Sequence, residues 1–295
     1  MTSIDLDRGL LMNVAYRLLG SVTEAEDAVQ DAFARWYAMP NDSREEITSP
    51  TGWLVTVTTR ICLDVLGSAR VRRERYVGEW LPEPVPADAR WTSQATPTRT
   101  ADPVDRVSLD ESLSMALLVV LEAMTPAERV AFILHDVFRY TFAEVGEIVG
   151  RSPEACRQLA SSARRRIRAA RRDRISAPEH ASVVAAFQAA LQTGDLQSLV
   201  DILDPAATAV PDGGGVVSAA IEPIHGAETI ARYLLGLYQL KPDLEFRLTT
   251  VNGQAGLLAT DEAGSALAVV SVAIAHGVIE RLWVVRNPGK LIGWS

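Results

Sequence analysis

Two cysteines in 295 residues are too few for a disulfide framework. Cys62 and Cys156 lie far apart in helical patterns and form no CxxC pair, which fits a reducing compartment, and a cytoplasmic location is expected. Histidine is as scarce: four residues, scattered singly, offer no metal-ligand cluster, and no cofactor or metal is expected. No apolar run approaches the roughly 18 residues of a membrane-spanning helix, so no membrane contact is expected. The opening MTSIDLDRGLLMNVAYRLLG is acidic at its start and helical in period, unlike a secretory signal.

What is present is ordinary globular composition, 48% hydrophobic, with unevenly placed charge. The formal net charge of −8 hides a basic block. Residues 151–174 hold nine arginines against Glu154 and Asp173, a local +7, whereas residues 176–295 carry a net −6. A concentrated basic helix says more about nucleic acid than the overall balance does.

The chain reads as helices from residue 4 to residue 38. Leu10, Leu11, Val14, Leu18 and Leu19 line one face. Thr23 with Glu26 three residues on reads as a capping box for EAEDAVQDAFARWYA. Pro40 stops that helix, and Pro50 and Thr51 open another, GWLVTVTTRICLDVLGSARVRRERY, with a basic end at Arg70, Arg72, Arg73 and Arg75. Residues 77–108 hold five prolines and read as a linker, though Trp80 and Trp91 in it call for something to pack against. An apolar helix is expected over 109–124, and Thr125-Pro126-Ala127-Glu128 is a helix start. A short helix capped by Thr141 and ended by Gly150 then leads through Ser152 and Pro153 into SPEACRQLASSARRRIRAARRDR. Helix, tight turn, helix is the signature of a helix-turn-helix.

In that motif the N-terminal half of the second helix meets base edges. Ser152, Glu154, Arg157, Gln158 and Ser161 occupy it here. Further along, Arg164, Arg165, Arg166, Arg168, Arg171 and Arg172 can reach phosphates. After Pro178 the pattern changes to two helices split at Gly194-Asp195, then a helix at ETIARYLLGLYQL and β-rich runs broken by Asn252-Gly253 and Glu262-Ala263-Gly264. Residues 179–295 therefore read as an α+β domain with a curved antiparallel sheet of hairpins.

Residues 1–174 resemble an extracytoplasmic-function (ECF) sigma factor, the promoter-specificity subunit of bacterial RNA polymerase. EAEDAVQDAFARWYA is similar to the helix that docks on the clamp of the polymerase β′ subunit; the resemblance assigns Glu26, Asp27, Gln30, Asp31, Phe33 and Trp36 to that face. SPTGWLVTVTTRICLDVLGSARVRRER resembles the helix that melts and reads the −10 element, with Arg60, Asp64, Arg70, Arg72 and Arg73 toward DNA. MTPAERVAFILHDVFRYTFAEVGEIVGRSPEACRQLASSARRRI resembles the −35-reading domain. WLPEP at 80–84, DGGG at 212–215 and NPGKL at 287–291 resemble motifs of ECF sigma factors carrying a fused SnoaL-like domain; Gly289 stands where an acid is more common.

The resemblance implies a multidomain chain: an all-α sigma-2 domain over 1–76, a linker over 77–108, an all-α sigma-4 helix-turn-helix domain over 109–175, and an α+β SnoaL-like, cystatin-like cone over 179–295. The partners it implies are core RNA polymerase and promoter DNA, with the free chain a monomer. Contacts are expected among Trp80, Leu81 and Pro82, Asp212 and Gly213, and Asn287, Pro288 and Lys290, giving the last domain a regulatory role. SnoaL-like folds also include cyclases and isomerases, and Asp212, His225, Asp243, Asp261 and His276 are the candidate acid–base residues, but none can be paired from the sequence. An unknown small ligand in the cone stays open. So do two other readings, a DNA-binding regulator that never meets polymerase and a cyclase or isomerase with a helical front.

Overall fold

The computed structural model describes residues 3–73, 76–89, 91, 111–170, 175–241 and 243–294. It divides into two compact units. The helical front forms the first. The second joins residues 76–87 and 114–116 to the chain from 175 onward, so the first part of the proline-rich stretch belongs to the C-terminal domain rather than to a free connector.

The first unit begins with α1 (Ser3–Leu19), α2 (Val22–Ala38), the short α3 (Asn41–Glu45) and α4 (Pro50–Arg73). Leu11, Val14, Leu18 and Leu19 of α1, Ala25, Ala28, Val29 and Ala32 of α2, and Leu54, Val55, Ile61 and Cys62 of α4 are buried. These repeats recur every three to four residues and turn one face of each helix inward. Trp36 and Trp53 tilt against each other across α2 and α4 at 5.3 Å. The cap of α2 is Ser21, whose hydroxyl accepts from the Glu24 amide, and Thr23 lies inside the first turn; the helix starts two residues before the expected Thr23–Glu26 box. Trp91 packs on Tyr16 of α1 at 5.1 Å between ring centroids, giving that tryptophan its expected partner.

The second half of this unit starts with a 3-10 turn at Glu111–Leu113 and α5 (Met115–Glu122), where one continuous helix was expected. Then come α6 (Pro126–Phe132), continued by a π-helical turn at Ile133–Val137, α7 (Phe142–Val149) and α8 (Pro153–Ala170). Capping boxes close at Thr125 with Glu128 and at Thr141 with Glu144. Gly150 takes φ +70° and ends α7. Gly146 lets the turn fold back on α7, since a Cβ there would sit 2.6 Å from the Arg151 carbonyl oxygen.

Two buried arginines tie the halves of this unit together. Arg17 of α1 donates from Nε to the Ser112 hydroxyl at 2.7 Å and from Nη1 to Asn13 Oδ1 at 2.5 Å. Arg129 of α6 donates from Nη1 to the Leu18 carbonyl at 2.6 Å and to Glu122 Oε1 at 2.8 Å. Burial pushes the Arg129 guanidinium down to about 10, so it stays charged at neutral pH and depends on these acceptors.

The second unit has α9 (Ala177–Thr193) and α10 (Leu196–Ile202), then β1 (Leu203–Asp212), β2 (Ile224–His225), α11 (Ala227–Leu240) and strands β3 (Glu245–Val251), β4 (Gln254–Thr260), β5 (Ala266–Ala275) and β6 (Val278–Val285). The strand order is β2-β1-β6-β5-β4-β3. The sheet is not wholly antiparallel as the hairpin pattern suggested. β1 runs parallel to β6, because the chain leaves β1 through α11 before building the hairpins and returns beside β1 with its last strand. Ala207, Ala209, Leu257, Val270, Val272, Leu282 and Val284 join Val184, Phe187 and Ile230 of the helices in one apolar core. The alternate residues point to the other face. Among them Asp212, Leu258, Val269, Trp283 and Val285 are also buried, so the sheet is covered on both sides.

Candidate functional site

On the face opposite the helices, the C-terminal domain holds the segment 76–86. Asp212 ends β1 there and is 1% exposed. Its Oδ1 accepts from the Tyr76 hydroxyl at 2.6 Å and the Gly214 amide at 3.1 Å. Its Oδ2 accepts from the Leu81 amide at 3.1 Å and from Lys290 Nζ at 2.7 Å. Its main-chain oxygen accepts from the amides of Arg286 and Asn287, which locks the end of β1 to the segment after β6. A buried carboxylate with four donors, one of them cationic, has the partners that burial demands.

Lys290 is as fully engaged. Its ammonium also donates to the Leu81 carbonyl and lies 4.3 Å from the Trp80 ring centroid and 5.0 Å from that of Tyr76. Aromatic faces attract a desolvated cation. Leu81 thus offers its amide to Asp212 and its carbonyl to Lys290. Burial, then the hydrogen bond to Asp212 and the charge of its carboxylate, push the Tyr76 phenol far up, so it remains a donor. The same phenol oxygen accepts from Asn287 Nδ2 at 2.7 Å. Gly214, at φ +63°, passes so close to Asn287 that a Cβ would lie 2.3 Å from Nδ2.

The rest of the segment is clamped further along. Trp294 Nε1 donates to the Pro84 carbonyl at 3.0 Å. Asn252, at the β3–β4 turn with φ +52°, donates its amide to the Val85 carbonyl at 2.8 Å and accepts from the Val85 amide through Oδ1 at 3.1 Å. Pro86 forms a bridge with Val251. Leu81 through Val85 are all buried.

The three motifs expected to meet do meet: Trp80 and Leu81, Asp212, and Asn287 and Lys290 share one cluster. Pro82 lies buried within the clamped segment. Gly213 lies close to its own loop, where a Cβ would be 2.5 Å from the Val217 carbonyl oxygen, and Pro288 opens the 3-10 turn Pro288–Lys290. Tyr76, Asn252 and Trp294 escaped the sequence reading; the Asn-Gly turn at 252 and the position of Trp294 just after NPGKL were the available signals.

On α8, Glu154, Arg157, Gln158, Ser161, Arg165 and Arg168 are exposed along one stripe at helical spacing. Arg157 pairs with Glu154 at 2.5 Å and lies over Phe142. Ser152 is the N-cap, its hydroxyl accepting from the Ala155 amide at 3.2 Å. Arg164 departs from the expected phosphate-facing role: it turns inward and holds the buried Asp136, with Nε on Oδ1 at 2.7 Å and Nη2 on Oδ2 at 3.2 Å. A buried carboxylate needs a cation, and α8 supplies the nearest one.

Arg60 also differs from expectation. Its guanidinium donates to the carbonyls of Glu147 at 2.9 Å and Ile148 at 3.2 Å, at the negative end of α7. Asp64 is exposed one turn on. The side chains of Arg70, Arg72 and Arg73, and all of Arg171 and Arg172, lie outside the described residues. On α2, Glu26, Asp27, Gln30 and Asp31 form an exposed stripe beside half-buried Phe33 and Trp36.

Of the acid–base candidates, Asp243 and Asp261 come together, lining one cavity with Lys241 and Glu262, while Asp212, His225 and His276 lie elsewhere on the domain. Asp212 is held by Lys290. His225 is exposed beside Thr208, Asp261 accepts from the Ser265 amide in its own hairpin turn, and His276 sits in the β5–β6 turn at φ +52°. Asp243 is exposed after α11.

Comparison with known proteins fits this arrangement. The family model for Sigma-70 region 2 matches residues 4–75, and that for Sigma-70, region 4 matches residues 114–167. The ECF RNA polymerase sigma factor SigJ of Mycobacterium tuberculosis (strain ATCC 25618 / H37Rv) is 39% identical over 96% of this chain and 90% of its own length. SigI of Mycobacterium tuberculosis (strain CDC 1551 / Oshkosh) is 35% identical over 96% of this chain and 92% of its own. The crystal structure of Mycobacterium tuberculosis SigJ superposes with a TM-score of 0.74 at 33% identity, covering 99% of this chain and 98% of that one.

Proposed function

The chain belongs to the ECF RNA polymerase sigma factors, and from that premise we propose that its α+β SnoaL-like domain regulates sigma activity by holding the linker. The observation that carries the reading is the cluster in which Asp212 and Lys290 grip both main-chain polar groups of Leu81. The linker connects the module matched to region 2 with the one matched to region 4. A domain that fixes one end of that connector restrains how far apart the two modules can stand.

In this reading the sigma-2 domain spans 1–76, the linker 77–108, the sigma-4 domain 109–175 and the regulatory domain 179–295. The exposed stripe of α8 reads the −35 element. Asp64 and the basic end of α4 serve the −10 element, with Arg60 once it leaves α7. The acidic stripe of α2 with Phe33 and Trp36 meets the β′ clamp. The C-terminal domain works without chemistry of its own; the pairing of buried Asp212 with Lys290 and the exposed, separate placement of His225 and His276 support this. Its role is that of a fused partner, acting in place of a separate anti-sigma protein.

Run-off transcription with bacterial core polymerase tests the proposal. Native chain, Asp212→Asn and Trp80→Ala are compared on a library of upstream regions. The regulatory reading expects promoter-specific transcripts whose yield changes in both variants, and a double variant whose effect is less than additive. Equal yields from all forms would remove the regulatory role while leaving the sigma role intact.

A further inference from the structure

The linker is bound as a peptide is bound by a receptor. Prolines at 82, 84 and 86 fix φ near −65° at every second position. Each intervening residue, Leu81, Glu83 and Val85, precedes a proline and is pushed to extended backbone. The segment is therefore stiff before it docks and loses little conformational entropy on binding, as in other recognition of proline-rich segments. The hydrogen bonds that join residues 81–85 to Asp212, Lys290, Trp294 and Asn252 all use the segment's main chain: Asp212 and Asn252 Oδ1 accept from its amides, and Lys290, Trp294 and the Asn252 amide donate to its carbonyls. An indole donating to a proline carbonyl, an asparagine closing a two-bond clamp, and an aromatic side chain over a cation are features of a site that reads extended polypeptide, with one aromatic anchor setting the register.

We infer that this groove is a receptor for an extended, proline-alternating polypeptide segment headed by an aromatic residue, and that it accepts such a segment in trans from a partner protein in exchange for its own linker. The inference rests on the regulatory reading above and names its input: a partner segment that takes the groove sets the linker free. Main-chain recognition makes exchange feasible, because the groove asks for backbone shape and an aromatic–Leu–Pro start rather than for one full sequence. The covalent linker sits at an effective concentration on the order of millimolar, so a competitor must bind well or be abundant.

The probe is a synthetic peptide of residues 76–87, fluorescein-labelled, with two controls: one carrying Trp80→Ala, the other with all three prolines replaced by alanine. The receptor is the full chain with Trp80→Ala and Leu81→Ser, which weakens the resident segment. Fluorescence anisotropy should show saturable binding to this chain and at least tenfold weaker binding to the native chain. Both control peptides should bind at least fivefold more weakly, and adding Trp294→Phe to the receptor should lower affinity about fivefold, the loss of one hydrogen bond.

A second arm needs no weakened variant. Unlabelled peptide at millimolar concentration is added to the ¹⁵N-labelled native chain, and the amide signals of Leu81 and Val85 should move as the linker is displaced. No binding to a receptor that keeps the native circular dichroism and melting, together with unmoved amides in the native chain, overturns the inference. So does equal binding of all three peptides. A native chain that dimerises in sedimentation while its Leu81 and Val85 amides stay protected assigns the groove to the linker of a second copy, which also overturns it. Failure here is separable from failure of the regulatory reading: transcription that responds to Asp212→Asn without peptide binding leaves regulation standing, and peptide binding with unchanged transcription leaves only the receptor.

Discussion

Lys290 Nζ lies 2.7 Å from Asp212 Oδ2, and both side chains reach the same linker residue, one at its carbonyl and the other at its amide. The ion pair is thus part of the site that holds Leu81. It is nearly fully buried, and a pair in that setting gains little over an apolar replacement but costs much when halved.

Lys290→Met should therefore destabilise the C-terminal unit by about 3–5 kcal/mol, because it leaves the Asp212 carboxylate buried without its cation. Adding Asp212→Asn removes the stranded charge and should recover part of the loss. Thermal unfolding of the two single variants and the double variant checks this. A double variant as unstable as the sum of the singles would mean the two groups do not share a charge balance.

Two glycines with positive φ should respond differently to alanine. Gly264, at φ +81° with nothing within 4 Å of its missing Cβ, meets only backbone strain, about 1–2 kcal/mol. Gly214 meets the same strain and a collision with the Asn287 amide. Gly214→Ala should lower the melting temperature clearly more than Gly264→Ala, and should also raise the protease sensitivity of the linker. Equal shifts would show that the loop around 214 yields freely.

Neighbouring arginines on α8 should separate by role. Arg165→Ala removes an exposed cation and should weaken duplex binding with little change in stability, lowering the salt slope by about one. Arg164→Ala strands buried Asp136 and should cost stability by about 3 kcal/mol or more. Melting curves together with binding across a salt series check both. An Arg164→Ala chain of native stability would return that residue to the phosphate-facing set.

Acid should weaken the C-terminal unit through His180. Burial lowers its pKa, with the Val272 carbonyl opposing, so the folded state favours the neutral ring. The unfolded chain then binds more protons as pH falls below the ordinary histidine value of about 6.5, and stability contributed by the neutral ring is lost as pH drops from there toward the folded pKa. Above about 6.5 the contribution is level. His180→Gln should flatten the fall in melting temperature between pH 7 and 5, and an unchanged slope would remove His180 as its source.

Local rules carried much of the fold into the sequence. The boxes at Thr125–Glu128 and Thr141–Glu144 and the ends at Gly150 and Gly194 are set by neighbours three or four residues away, so they are legible. The parallel β1–β6 pair is not, since nothing near Thr208 says that it lies beside Arg281. WLPEP, DGGG and NPGKL were legible as motifs, and the structure supplies what joins them. Tyr76, Asn252 and Trp294 act on partners more than a hundred residues away and belong to no repeated pattern. Arg164 looked like its neighbours because only the fold puts Asp136 beneath it.

Amide hydrogen exchange at Leu81 and Val85 tests most directly whether the linker is a bound ligand of the C-terminal domain. In the native chain both amides should be strongly protected, since Asp212 and Asn252 accept from them, and in Asp212→Asn the protection at Leu81 should drop at least tenfold while the β5–β6 amides stay protected. Exchange at the unprotected rate at both positions in the native chain would contradict the account.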